Sequence, residues 1–388
     1  MIGQRLFARP PGYPTVLSWF ITGAFRDWRG LTAALIATWF NLPLAIFLGG
    51  VGLVGGAVAG WIGGFSGGGY SSEYVADIPV LSTALNSFLL QGGGILGLLA
   101  GAAVGAVGGF LAGLILPWAI VFDDPAKGLG LAIGQLLTAL LCGVLYLIYS
   151  VAAEGWRMKL QGAREPSRRE RELIEPLLRD CAAKLRLGGY PKLLMDDSRE
   201  PNAYCGARHI ILTRGFLDEF NYDTEPLAGV LCHELTHWRN ADAISSNFIH
   251  GVALPLYLAY SAITWVMRVV RSPFVLFVLW ATAWPLLVCI RYFIVPIQAI
   301  GSRQAEYAAD QGAVLAGERN GLRRALARFR HSFDGARNGW DLAICASHPP
   351  NELRLGRIEE PGVKYPLPDA DAPAMPLPVT VTSSLTRD

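Results

Sequence analysis

The stretch VLCHELTHWRNAD, residues 230–242, places two histidines four apart with a glutamate directly after the first. On a helix, positions i and i+4 share one face. His233 and His237 can then grip one metal ion, with Glu234 beside it. Imidazole nitrogens are good ligands for Zn²⁺, and a catalytic zinc keeps three protein ligands and a water. Glu234 stands too close to His233 to ligate easily, but it can take a proton from that water. The chemistry this spacing suggests is metal-assisted hydrolysis. A helix bearing two solvated histidines is the plainer alternative.

A third ligand has to come from elsewhere in the chain. A histidine six residues after His237 is excluded, because position 243 is Ala243. The side chains further on that could serve are Glu306, Asp310, Glu318, His331, Asp334 and His348. Glu306 is the best candidate. It follows directly on a long apolar stretch, has an acidic partner one helical turn on in Asp310, and has small alanines between. In that reading Asp310 orients a ligating histidine from behind. An ordinary solvated acidic face is the alternative for both residues.

The helix carrying these histidines has a plausible start. Asp223 or Thr224 can cap it, and Pro226 suits its first turn. Leu227, Val230, Leu231, Leu235 and Trp238 supply its apolar positions. Asp218, Glu219, Asp223 and Glu225 precede it, and Arg239 and Asp242 follow. Charges this close on both sides argue against a site-2-type protease, whose motif lies inside a membrane span.

The rest of the chain is far more apolar. Mean hydropathy is +0.35 over 388 residues. Only 16% of residues are charged, against roughly 25% in soluble proteins. No charged side chain occurs from Leu31 to Ser72, from Ile78 to Phe122, or between Lys127 and Glu154. Uncharged apolar runs of this length read as membrane spans, so the bilayer is a partner. The net charge of +2 gives no reason to expect nucleic acid as another. The N-terminus is basic and broken by proline, unlike a secretory signal. Six cysteines without a CxxC pair read as small buried side chains, not as a disulfide framework.

These patterns divide the chain into parts. Residues 1–30 form a basic leader. Residues 31–153 form a glycine-zipper transmembrane block, with candidate spans near 31–56, 92–116 and 129–152. Residues 154–247 are polar and hold the HExxH helix. Residues 248–300 resemble a transmembrane hairpin turning near Arg268–Pro273. Residues 301–360 are polar again and hold the third-ligand helix, and 361–388 form a proline-rich tail expected to be flexible.

In the first block Gly52, Gly56, Gly60 and Gly64 recur every fourth residue, as do Gly93, Gly97, Gly101, Gly105, Gly109 and Gly113. Such spacing leaves a groove along one helix face, so that another helix can come close in lipid. Packing within the chain and a homo-oligomer interface are both readings of it. Arg5, Arg9, Arg26 and Arg29 precede the block, and Arg157, Lys159, Arg164, Arg168, Arg169 and Arg171 follow it. Positive flanks favour the cytoplasm. Both ends of the block should then face inward, which needs an even number of crossings where three spans are counted.

HELTH at 233–237, the AEYAAD segment at 305–310 and SHPPNELR at 347–354 together resemble the motifs of the HtpX and type I CAAX prenyl protease family of membrane zinc metallopeptidases. The segment PNAYCGARHIILTRGFLDEF, 201–220, is similar to the strand region before that family's active-site helix, and the resemblance covers about 155–360. It implies a mainly α, multi-span helical membrane protein with an α+β zincin-like peptidase domain. It implies one zinc per chain held by His233, His237 and Glu306, with Glu234 as general base. It makes Asp310 and Asn240 candidates behind the ligands, and it places His348 and Arg354 near the site. The implied function is a zinc endopeptidase acting on protein or peptide substrates, in membrane-protein quality control or processing. The implied location is a bacterial inner membrane with the peptidase domain in the cytoplasm. The N-terminal block is longer and richer in glycine than expected for that family. A catalytically idle scaffold or sensor built on those glycine-rich helices is the reading from a different class. The apolar run His209–Thr213 could pair with an extended substrate as an edge strand, or be a core strand.

Overall fold

The computed structural model describes residues 13, 15–73, 82–328, 346–363 and 365, with side chains outside 65–93. Apart from residues 361–363 and 365, the proline-rich tail lies outside the described residues. The chain divides into two units. One comprises Met1–Asp27, Tyr149–Ser246 and Ala299–Asp388, and the other Trp28–Ile148 and Asn247–Gln298.

The first unit is built around the motif helix, Thr224–Asn240. Asp223 caps it, its side chain accepting the Glu225 N–H at 3.0 Å. Every residue from Pro226 to Thr236 is buried, and so is Trp238. A helix buried this completely is a core element. Leu227, Leu231 and Leu235 are wholly inaccessible, and each such burial stabilises the fold by about 1.5–3 kcal/mol. The helix Arg168–Lys184 brings Ile174, Leu178 and Cys181 to the same core. It starts at a capping box, in which Ser167 and Glu170 satisfy each other's main-chain N–H groups.

Small residues set the closest approaches. Gly229 of the motif helix meets the backbone of Gly321 and Leu322 in the helix Arg319–Arg328. Gly312, in the helix Val295–Leu315, lies against the side chain of Thr236. A methyl group at either glycine would collide with its neighbour. The N-terminal helix Val16–Ala24 also packs here, with Trp19 edge-on to Trp238 at 5.6 Å and Gly23 against Ala241.

Among the described residues this unit holds one three-stranded sheet. Strands β1 (Lys192–Asp196), β2 (Ala203–Cys205) and β3 (His209–Thr213) lie in the order β1-β3-β2. β3 runs parallel to β1 and antiparallel to β2, and all five of its residues are buried. The expectation that His209–Thr213 could be an edge strand is therefore corrected. Its main chain is paired on both sides, leaving no row of free N–H and C=O groups for a substrate. β2 is the outer strand on one side. On the other, Arg164 bridges to Met195 of β1.

Among the described residues, Leu42–Gly64, Gly94–Trp118, Pro125–Ala152 and Pro273–Leu315 are long and apolar enough to cross a membrane. The helices Asp242–Val252 and Leu254–Val269 form a fifth candidate bent by 67°. The apolar run beginning at Leu31 is not one helix. It breaks at Asn41, whose φ of 58° is left-handed, just before Pro43. In the second unit the helices Leu42–Glu73 and Ser82–Ile115 pack backbone to backbone through Gly52 on Gly105, Gly56 on Gly101 and Gly60 on Gly97.

Where the span Pro125–Ala152 ends, the short helix Glu154–Leu160 begins. Glu154 is buried, and its Oε2 accepts the Arg208 main-chain N–H at 2.9 Å. Its Oε1 has no hydrogen bond and lies 3.9 Å from His209 Nδ1. Burial pushes the Glu154 carboxyl up to about 7 and the His209 imidazole down to about 4.

Gly312→Ala should lower stability by about 1–3 kcal/mol, seen as a fall in melting temperature. Adding Thr236→Ala should recover part of the loss, because it removes two of the three atoms nearest the new methyl group. Glu154 gives a pH signature. Its carboxyl ionises at 4.5 when free and at about 7 when folded, so the folded state holds the proton more tightly. Stability from this group is full below pH 4.5 and declines by roughly 3 kcal/mol as pH rises through 7. Glu154→Gln should match wild type at pH 5 and melt higher at pH 8, and thermal scans at the two pH values check this.

Candidate active site

The motif helix sets His233 and His237 one turn apart, with ring centroids 4.7 Å apart and planes at 85°. Their Nε2 atoms lie 3.1 Å from each other. Glu306 reaches them from the helix Val295–Leu315. Its Oε2 is 3.5 Å from His233 Nε2, and its Oε1 is 3.6 Å from His237 Nε2. One ligand atom from each of the three residues falls within 4.8 Å of the others. His233, Glu234 and Glu306 are all buried. The set of two imidazoles and one carboxylate fits a metal ion that keeps a further position open for water.

Each imidazole is held from behind by its other nitrogen. His233 Nδ1 is 2.9 Å from Asp310 Oδ1, and His237 Nδ1 is 2.8 Å from Asp242 Oδ2. With Nδ1–H donated to a carboxylate, each Nε2 lone pair points at the shared centre. Asp310 thus lies behind His233. Among the described residues the Asn240 side chain makes no hydrogen bond to either imidazole, and its main-chain carbonyl accepts a bond from Arg26. The partner of His237 is Asp242, which sequence reasoning missed. The motif helix stops at Asn240, and Ala241 turns the chain with a left-handed φ of 61°. That turn swings Asp242 back over the last turn of the helix. Its place five residues after His237 was the available signal, but a helical reading puts it on another face.

The segment SHPPNELR closes the site. His348 Nδ1 is 3.0 Å from Glu306 Oε1, on a side chain 58% exposed. Arg354 comes from the helix Asn351–Ile358, which Leu355 and Ile358 anchor in the core. Its guanidinium donates to both Asp310 oxygens, at 2.6 and 2.8 Å, and lies 3.1 Å from Glu306 Oε2. Of the other third-ligand candidates, Glu318 pairs with Lys184 at 2.6 Å instead. His331 and Asp334 lie outside the described residues.

The electrostatics favour a cation. Burial would lower the His233 pKa, but the carboxylates of Asp310 and Glu306 outweigh it and bring it up to about 10. The field that holds a proton there also holds a metal ion. Burial raises the Glu234 pKa, against the pull of His233 and His237. Glu234, Asp242, Glu306 and Asp310 outnumber the guanidiniums that offset them, Arg354 at the centre and Arg26, 3.3 Å from Asp242.

Residues 167–362, a little over half of the chain, match Peptidase family M48. Among similar proteins, the protease HtpX homolog of Salinibacter ruber (strain DSM 13855 / M31) is 28% identical over 280 residues, which cover 62% of this chain and 93% of that protein. The protease HtpX homolog of Aquifex aeolicus (strain VF5) is 23% identical over 256 residues, 58% of this chain and 84% of the relative. That of Bordetella petrii is 31% identical over 198 residues, 44% and 64%. The match takes in the motif helix, the Glu306 helix and the Arg354 helix alike, and the described residues also hold four helices long and apolar enough to cross a membrane, so the conclusion is plain: the chain belongs to peptidase family M48, as an HtpX-like membrane metallopeptidase.

Proposed function

We propose that this chain is a zinc-dependent endopeptidase of a bacterial inner membrane, cleaving protein substrates in membrane-protein quality control or processing. One observation carries the reading: His233, His237 and Glu306 offer three ligand atoms within 4.8 Å of one another. Nitrogen and carboxylate ligands in this combination suit zinc. When bound there, zinc supplies a Lewis acid that acidifies water and polarises the scissile carbonyl.

The chain's own residues do the rest. Asp310 and Asp242 hold the two imidazoles in one tautomer and orientation, and Arg354 holds Asp310 and Glu306 in place. Glu234 takes the proton of the attacking water and returns it to the nitrogen of the leaving amine. Burial keeps bulk water from competing for that proton.

We place the peptidase unit on the cytoplasmic side. Arginine clusters flank the glycine-rich block at both ends. The packing of the N-terminal helix against the motif helix through Trp19 and Trp238 supports assigning both to one side of the bilayer.

Glu234→Gln should keep one zinc per chain and lose about 10²–10⁴-fold in peptide hydrolysis. Retention of more than about a tenth of the wild-type rate would remove Glu234 from the base role. Proteins that accumulate in cells carrying this variant identify the substrates. Glu306→Ala should lose zinc and activity together, whereas Asp310→Ala should weaken zinc binding by about 10–100-fold. Zinc retained in Glu306→Ala but lost in His348→Ala would move the third ligand to His348. A cysteine introduced near Arg168 should resist an impermeant thiol reagent in intact cells, and labelling there reverses the orientation.

A further inference from the structure

A charged cavity that none of the three candidate metal ligands lines lies where the span Pro125–Ala152 passes into the helix Glu154–Leu160. It measures about 340 Å³, and Ala152, Trp156, Lys159, Lys192, Arg208 and His209 line it. The cations converge. Lys159 and Lys192 reach the same carboxylate oxygen, Glu165 Oε1, at 3.9 and 2.5 Å. The Lys192 main-chain N–H donates to the Arg208 carbonyl at 2.9 Å, so these two side chains spring from adjoining strand ends. Behind them lie Glu154 and His209. Three permanent cations thus share one cavity, and an exposed carboxylate already sits between two of them.

The position of this cavity in the chain narrows its occupant. Ala152 is the last residue of a span with no charge between Lys127 and Glu154. The helix that follows carries Trp156 and Leu160, 63% and 68% exposed, one turn apart on one face, with Lys159 beside them. Tryptophan next to lysine and arginine at the end of a span is the composition of a membrane–water interface. Basic groups there attract anionic lipids.

We propose that this cavity binds the phosphodiester headgroup of an anionic phospholipid. A phosphate oxygen takes the place of the Glu165 carboxylate between Lys159 and Lys192, while Trp156 and Leu160 lie along the acyl chains. Arg208 supplies a planar donor for a second oxygen. Glu165 then acts as an internal competitor, so its removal strengthens binding.

The test uses the full chain, purified and delipidated in neutral detergent. It is titrated with phosphatidylglycerol, phosphatidylcholine or inorganic phosphate, and bound lipid is counted by native mass spectrometry. The Lys159 and Lys192 side chains are 59% and 42% exposed, so changing them leaves the core intact. Wild type should hold one phosphatidylglycerol more tightly than any phosphatidylcholine. Lys159→Glu and Lys192→Gln should each weaken that binding about fivefold or more, and Glu165→Gln should tighten it. Equal phosphatidylglycerol binding in wild type and Lys159→Glu would overturn the proposal. Displacement of the lipid by an equal concentration of inorganic phosphate would also overturn it, making the site one for the free ion.

Discussion

Two imidazole nitrogens 3.1 Å apart, with a carboxylate about 3.5 Å from both, form an arrangement that only a shared positive charge makes favourable. Lone pairs aimed at one point repel, and burial removes the water that would screen them. The rest of the peptidase unit follows from holding that cluster together. Asp310 and Asp242 fix the far nitrogen of each ring, so neither can turn away from the centre. Arg354 keeps the accumulated carboxylates from repelling one another by bridging Asp310 and Glu306. A half-satisfied buried network is costly, which is why ligands, orienting acids and guanidinium come together as a set.

Such a cluster needs helices that approach more closely than ordinary side chains permit. The motif helix is buried nearly throughout, so its neighbours must fit around a fixed surface. Gly312 lets the helix of Glu306 and Asp310 settle on Thr236, one residue before His237. Gly229 and Gly321 allow the same closeness two turns earlier along the same face of the motif helix. In the second unit the same device works at larger scale, where glycines of two long helices bring backbones into contact. In an apolar solvent, close packing replaces the hydrophobic effect as the source of helix association. The glycines at 52, 56 and 60 meet those at 97, 101 and 105 inside the chain, so that face is already occupied.

The region around the helix Glu154–Leu160 carries its own chemistry. The folded chain gathers a buried acid, a buried imidazole and three cations around one cavity there. The site they form is separate from the zinc-type cluster and calls for a different ligand, one with negative oxygens and an apolar body.

What the sequence determined was local. HExxH could be read because its geometry belongs to a single helix, whose period alone puts His233 and His237 on one face. Glu306 and Asp310 were legible for the same reason, as one face of a second helix, and uncharged runs announced the membrane segments because lipid excludes charge. Tertiary structure decided the rest. It chose Asp242 over Asn240 because a left-handed Ala241, wedged against Gly23, turns the chain back on itself, and no periodicity encodes such a turn. It put β3 in the middle of its sheet because an apolar run records that a strand is buried and says nothing of which strands flank it. It aimed Arg354 at Asp310 and Glu306 across more than forty residues, because Leu355 and Ile358 anchor its helix in the shared core, a contact that no local pattern encodes.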